Sequence, residues 1–124
     1  MFLVADGKYA LPVDNVRSIE KMQPVRPVPL SSSKILGVTN LRGVVMTAYD
    51  LRMVLGLAPT EETEETRMIV IDQTAYVVDE ALDILDVEND KIEPWEGAGS
   101  LIRGVWKQGD HLVLIMNDEM LLAI

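Results

Sequence analysis

The sequence predicts a mainly β protein: two small, related β-barrels packed within one domain, with only short helices. Three observations carry that expectation. Setting Met1 on Met68 lays residues 1–57 over residues 68–124 without a gap. Within each half, short apolar runs alternate with turn-forming residues at hairpin spacing, which is how small barrels are written. Between the halves, residues 58–67 read Ala-Pro-Thr-Glu-Glu-Thr-Glu-Glu-Thr-Arg, a polar and acidic linker.

Nine aligned pairs are identical, among them Tyr9/Tyr76, Ile35/Ile102, Gly37/Gly104, Val38/Val105 and Met53/Met120. The pattern says more than the count. Phe2-Leu3-Val4 falls on Ile69-Val70-Ile71, and Val45-Met46-Thr47-Ala48-Tyr49 falls on Leu112-Val113-Leu114-Ile115-Met116. A chain of 124 residues is of single-domain size.

Each half opens with a short apolar strand (1–5; 68–72), a turn (Asp6-Gly7; Gln73-Thr74) and a second strand (8–12; 75–79). Asp-Gly signals a hairpin because Gly accepts the positive φ of a tight turn. Residues 13–21 are expected to form one or two helical turns, with Val16 and Ile19 three apart on one face. Their counterpart, residues 81–87, reads as more extended. Pro24, Pro27 and Pro29 fix an extended segment that cannot be a central strand. A hairpin follows in each half (38–49; 105–116), turning at Arg42-Gly43 and Gln108-Gly109-Asp110. Short amphipathic helices close the halves (50–57; 117–123). Asp50 and Asn117 stand at their N-caps, where a side-chain oxygen satisfies a free backbone N–H.

Composition excludes whole classes of function. There is no cysteine, hence no disulfide framework, thiolate catalysis or cysteine-ligated metal. A formal net charge of −9 opposes nucleic acid and anionic lipid alike. Apolar runs stay well short of a membrane span, and the N-terminus shows no basic leader, so a soluble, cytoplasmic protein is expected.

No catalytic constellation stands out. The single histidine, His111, begins a strand beside a turn without convergent partners. No phosphate-cradling loop or nucleophile elbow is present. Glu61, Glu62, Glu64 and Glu65 belong to the linker, and Asp83, Asp86, Glu88 and Asp90 lack the spacing of a calcium loop. No catalytic residue, metal ligand or cofactor site is therefore expected. Met53 and Met120 are assigned to the core; Trp95 and Trp106 either cap it or anchor an interface. The informative positions are those where the halves disagree. The first hairpin tip reads Asn40-Leu41-Arg42-Gly43, and its twin reads Lys107-Gln108-Gly109-Asp110. Arg42 places a fixed charge and a planar fork of donors where the twin has only glycine.

The stretch Ile35-Leu36-Gly37-Val38-Thr39-Asn40-Leu41-Arg42-Gly43, running on to Asp50-Leu51-Arg52, resembles the signature of the CheW family of chemotaxis coupling proteins. Tyr76-Val77-Val78-Asp79 is similar to a second family segment, and Gly104-Val105 through Leu121-Leu122 resemble its closing hairpin and helix. The resemblance implies two packed five-stranded, SH3-like β-barrels. It implies a non-catalytic adaptor that bridges the cytoplasmic tips of chemoreceptors to the regulatory domain of a CheA-type histidine kinase. It assigns partner binding to Arg42, Asn40, Leu41 and Gly43, and kinase contact to the segment holding Val16, Ser18, Ile19 and Glu20.

Three positions depart from the family pattern. Thr47 stands where the family has Pro, Ala75 where it has Gly, and Ser18 where it has an acid, with Glu20 as the nearest substitute. Exposed Val, Leu or Ile is expected around residues 13–19. Two other readings stay open: a barrel with a polar small-molecule or catalytic pocket between its halves, and an adaptor for a different kinase pathway.

Overall fold

The structure, a computed structural model, describes residues 1–95 and 100–124. Its strands are β1 (Phe2–Val4), β2 (Gly7–Ala10), β3 (Val16–Lys21), β4 (Val25–Arg26), β5 (Ile35–Leu41), β6 (Val44–Asp50), β7 (Arg67–Ile71), β8 (Thr74–Val78), β9 (Glu80–Ala81), β10 (Ile92–Pro94), β11 (Ile102–Gln108) and β12 (His111–Met116). Two helices, α1 (Leu51–Val54) and α2 (Asp118–Leu122), follow β6 and β12. The mainly β, two-subdomain architecture is the expected one. Each sheet has six strands rather than five, in the open orders β10-β11-β12-β2-β1-β9 and β3-β7-β8-β6-β5-β4.

Those orders place the opening hairpin of each half in the other half's sheet. The pair β1–β2 joins the second-half strands through a parallel β2–β12 ladder, Tyr9 opposite Leu114. The pair β7–β8 joins the first-half strands through a parallel β6–β8 ladder, Tyr49 opposite Tyr76. The two tyrosine rings stack with centroids 5.6 Å apart. Tyr76 also donates its hydroxyl to the Leu121 carbonyl at 3.1 Å, and its burial pushes the phenol pKa up.

The core explains why residues 68–71 read as a continuous apolar run. Along β7, Ile69 and Ile71 join a cluster with Phe2, Val4, Val78, Met116 and Leu121, drawn from both sheets. Met68 and Val70 point the other way, into a second cluster with Leu41, Met46, Ala48 and Ala75. A strand buried on both faces cannot alternate apolar with polar. Ala75 is fully buried in that second cluster.

Several sequence-based expectations are corrected. Residues 13–21 are not helical beyond a single 3-10 turn at Val13–Asn15; Val16–Lys21 is strand β3. Val16, Ser18 and Glu20 are half-buried and Arg17, Ile19 and Lys21 exposed, but a bulge between Val16 and Ser18 shifts the register, so Ser18 and Glu20 lie on the face of Val70 and Met68. The bulge pairs Val16 with Ile71 and Ile19 with Ile69, so the two do share one face, but of a strand rather than a helix. The opening turns sit one residue earlier than expected, at Ala5-Asp6 and Asp72-Gln73, with φ of 54° at both Ala5 and Asp72. Gly7 instead begins β2, where an added Cβ would lie 2.9 Å from the Tyr9 ring.

The closing helices are single turns, capped as expected: Asp50 Oδ1 accepts from the Arg52 amide at 3.0 Å, and Asn117 Oδ1 from the Met120 amide at 3.2 Å. So short a helix shows the core one stripe. Leu51, Val54 and Leu121 fill it, leaving Met53 half-buried and Met120 37% exposed rather than in the core.

Candidate protein-docking surface

The hairpin β5–β6 pairs Leu41 with Val44, so its loop is Arg42-Gly43 alone. Both loop residues have positive φ, 53° and 85°, the pattern of a type I′ hairpin turn. Buried Leu41 anchors the tip in the core. Asn40 braces it, accepting the Gly43 amide on Oδ1 at 2.8 Å. Arg42 is left projecting, its side chain 79% exposed. A left-handed arginine costs on the order of 1 kcal/mol; the twin hairpin avoids that cost with Gly109, φ 58°. Arginine is thus kept here against local backbone preference.

The fold brings this tip onto β3. Arg42 donates from Nη2 to Glu20 Oε1 at 3.1 Å, and the Glu20 side chain is only 16% exposed. Two segments that resemble family binding regions, residues 40–43 and 16–20, so form one surface. Ser18 shares a face of β3 with Glu20 but carries no charge. Val16 packs against the core, whereas Ile19 is exposed.

On the other face of β3, Ile19 lines an apolar groove of about 220 Å³. Val13, Val16, Ile19, Ile84, Leu85 and Trp106 are in its lining. Val13, Ile19 and Ile84 are strongly exposed, Ile84 to 73%. Among the described residues its lining is predominantly apolar, with Asn89 and Arg103 the amide and charged side chains in it. The exposed aliphatics around 13–19 were expected; Ile84 and Leu85 were not singled out, although apolar residues beside Asp83 and Asp86 were a visible signal. Trp106 is half-buried in the groove, while Trp95 is 56% exposed. The Glu96-Gly97 that follow Trp95 lie outside the described residues.

A second polar cluster was missed altogether. Arg52 grips Asp79 with a two-pronged fork, Nε to Oδ1 at 2.9 Å and Nη2 to Oδ2 at 2.6 Å. Asp79 Oδ2 also accepts the Ala5 amide at 2.7 Å, and Arg52 Nη1 donates to the Ala58 carbonyl at 3.2 Å. Burial pushes the Asp79 carboxyl up, but the Arg52 fork and the Ala5 amide outweigh it and hold the pKa below the ordinary value. Burial prevails at neighbouring Asp50, whose pKa is raised despite the Arg52 amide on its carboxylate. The pair ties the end of the Asp50-Leu51-Arg52 motif to the end of Tyr76-Val77-Val78-Asp79.

Among the described residues no three His, Asp or Glu side chains gather as a metal would require, and no helix is long and apolar enough to cross a membrane. His111 is exposed at the start of β12.

Residues 1–124 match the family model described as CheW-like domain. The chain is 43% identical to the chemotaxis protein CheW of Bacillus subtilis, covering 100% of this chain and 80% of that protein. It is 32% identical to the chemotaxis protein CheW of Helicobacter pylori, covering 98% and 78%. Its fold matches the crystal structure of the scaffolding protein TtCheW from Thermoanaerobacter tengcongensis with a TM-score of 0.86, at 22% identity over 94% of this chain and 85% of that one. With a full-length family match, close relatives and the same two-subdomain β architecture, the chain belongs to the CheW-like domain family.

Proposed function

We propose that this protein is a non-catalytic cytoplasmic scaffold that couples chemoreceptors to the regulatory domain of a CheA-type histidine kinase. The observation that carries the reading is the exposed Arg42 tip, braced by Asn40 and held by Glu20 on β3, the strand whose Ile19 lines an apolar groove. A fixed fork of donors beside exposed aliphatics supplies orientation and buried area together. Relatives named chemotaxis protein CheW support the pathway, and the apolar lining of the groove favours a protein partner over a small polar substrate.

The test is charge reversal at the tip. Arg42→Glu would place two carboxylates face to face at the Glu20 contact and reverse the sign a partner meets. Affinity for the kinase regulatory domain, measured by titration calorimetry, is expected to fall about 30- to 100-fold, and receptor-dependent kinase activation to be lost. Stability should move by less than about 1 kcal/mol, because the Arg42–Glu20 pair is exposed on one side. Unchanged binding and activation by a folded Arg42→Glu protein would discard the reading.

A further inference from the structure

The two halves also disagree at the start of their closing helices. Asp118 is only 8% exposed, and its twin position holds Leu51, fully buried in the core. Burying a carboxyl where a leucine would serve works against stability unless a partner compensates it. Among the described residues the one side chain that donates to it is Asn15, whose Nδ2 meets Asp118 Oδ2 from 103 positions away in the chain. The twin of Asn15 is Leu82, so the repeat has no second copy of this contact.

Asn15 ends the 3-10 turn Val13–Asn15, which leads directly into β3. That turn has no capping side chain of its own and closes on the backbone, the Val16 amide donating to the Val13 carbonyl. Val13 and Val16, on either side of Asn15, both line the apolar groove. Val13 is 56% exposed, so core packing does little to hold it. The contact with Asp118 ties this stretch of the groove lining to α2, whose Leu121 is buried in the core. A short segment already held in one geometry loses less freedom when a partner seats on it.

We propose that Asp118 is a positioning residue for the groove: from α2 it holds Asn15 and so sets the turn that presents Val13 to an incoming protein. This rests on the reading of the groove as a protein-docking surface, and the experiment separates the two. Affinities for the receptor tip and for the kinase regulatory domain are measured for wild type, Ile84→Asp, Asp118→Leu, Asp118→Asn and Asn15→Ala. Hydrogen exchange at the Val16 amide reads the turn directly, and the melting temperature reads the fold.

Ile84→Asp sets a charge in the groove away from the turn, and the partner whose affinity falls more than about tenfold is the one that uses the groove. Asp118→Leu, which copies the twin half, should weaken that same partner about three- to tenfold and speed exchange at Val16, while the melting temperature holds or rises. Asn15 is exposed, so Asn15→Ala removes the donor without touching the core and should reproduce both effects. Asp118→Asn still offers Asn15 an oxygen to donate to and should restore most of each. Full affinity in Asp118→Leu and Asn15→Ala alongside loss in Ile84→Asp would overturn the positioning role and leave the groove reading intact. Wild-type affinity for both partners in Ile84→Asp would overturn both. Weak binding by Asp118→Leu that comes with a lowered melting temperature, while Asn15→Ala binds normally, would assign the loss to the fold and would also overturn the proposal.

Discussion

Replacing Asp79 with alanine is expected to lower the unfolding free energy by about 2–3 kcal/mol, because it strands two donors at once. The Arg52 guanidinium, 19% exposed, loses its fork partner, and the Ala5 amide, in a turn with positive φ, loses its acceptor. Urea denaturation at neutral pH measures the loss. The sign of the pH dependence follows from the depressed carboxyl: a group whose folded pKa lies below its unfolded one stabilises fully above the unfolded value, near 4, and loses that contribution as pH falls through the folded value. Wild-type stability should therefore shed this contribution below about pH 4, and Asp79→Ala should lack that portion of the acid decline. Asp50, whose pKa is raised by burial, titrates with the opposite effect on stability; the difference between wild type and variant isolates Asp79. An equal acid decline in both proteins would remove Asp79 from the account.

The second large effect is expected at a bulge. The β5–β6 and β11–β12 ladders both slip register at a glycine, Gly37 and Gly104. The two glycines are not equivalent. At Gly37, φ is 148°, and an added Cβ would sit 2.6 Å from the Arg26 carbonyl carbon and 2.9 Å from Pro27 Cα, all of it backbone. At Gly104 the nearest atom is the side-chain methyl Ile92 Cγ2 at 2.5 Å, and the nearest backbone atom, the Glu93 carbonyl oxygen, stands off at 3.0 Å. Gly37→Ala should cost about 3 kcal/mol or more by displacing β4 from the sheet edge, and Gly104→Ala about 1 kcal/mol. Equal denaturation midpoints for the two variants would mean that backbone approach is not what holds glycine at position 37.

Much of this was legible in the sequence because its cause is local. Asp50 and Asn117 cap helices through atoms two or three residues away. Arg42-Gly43 makes its turn from its own φ values, and the double-sided burial of β7 shows as an unbroken apolar run. What failed was not local. Nothing in residues 1–10 announces that β2 will lie parallel to β12, since parallel partners meet only through long connections. Val16-Arg17-Ser18-Ile19 suits either a helical turn or a strand, and pairing with β7 decided it. The opening turn was misplaced by one residue because Asp-Gly is a strong signal, and here the glycine answers the Tyr9 ring instead. Of the candidate site, Arg42 was found by comparing the halves, whereas Arg52 with Asp79 was not, because both motifs were read singly and their meeting is tertiary.

The exchange of opening hairpins gives the ten residues at 58–67 a meaning beyond spacing. Neither 1–57 nor 68–124 contains a whole sheet, since each lacks the hairpin that the other donates. Two free copies of one such half, trading hairpins, would form a domain-swapped dimer whose assembly depended on concentration. Tethering them fixes the local concentration of each for the other at roughly the millimolar level whatever the cell contains. Dilution cannot then dissociate the fold, and the two halves, free of the symmetry a dimer imposes, can differ at a single hairpin tip.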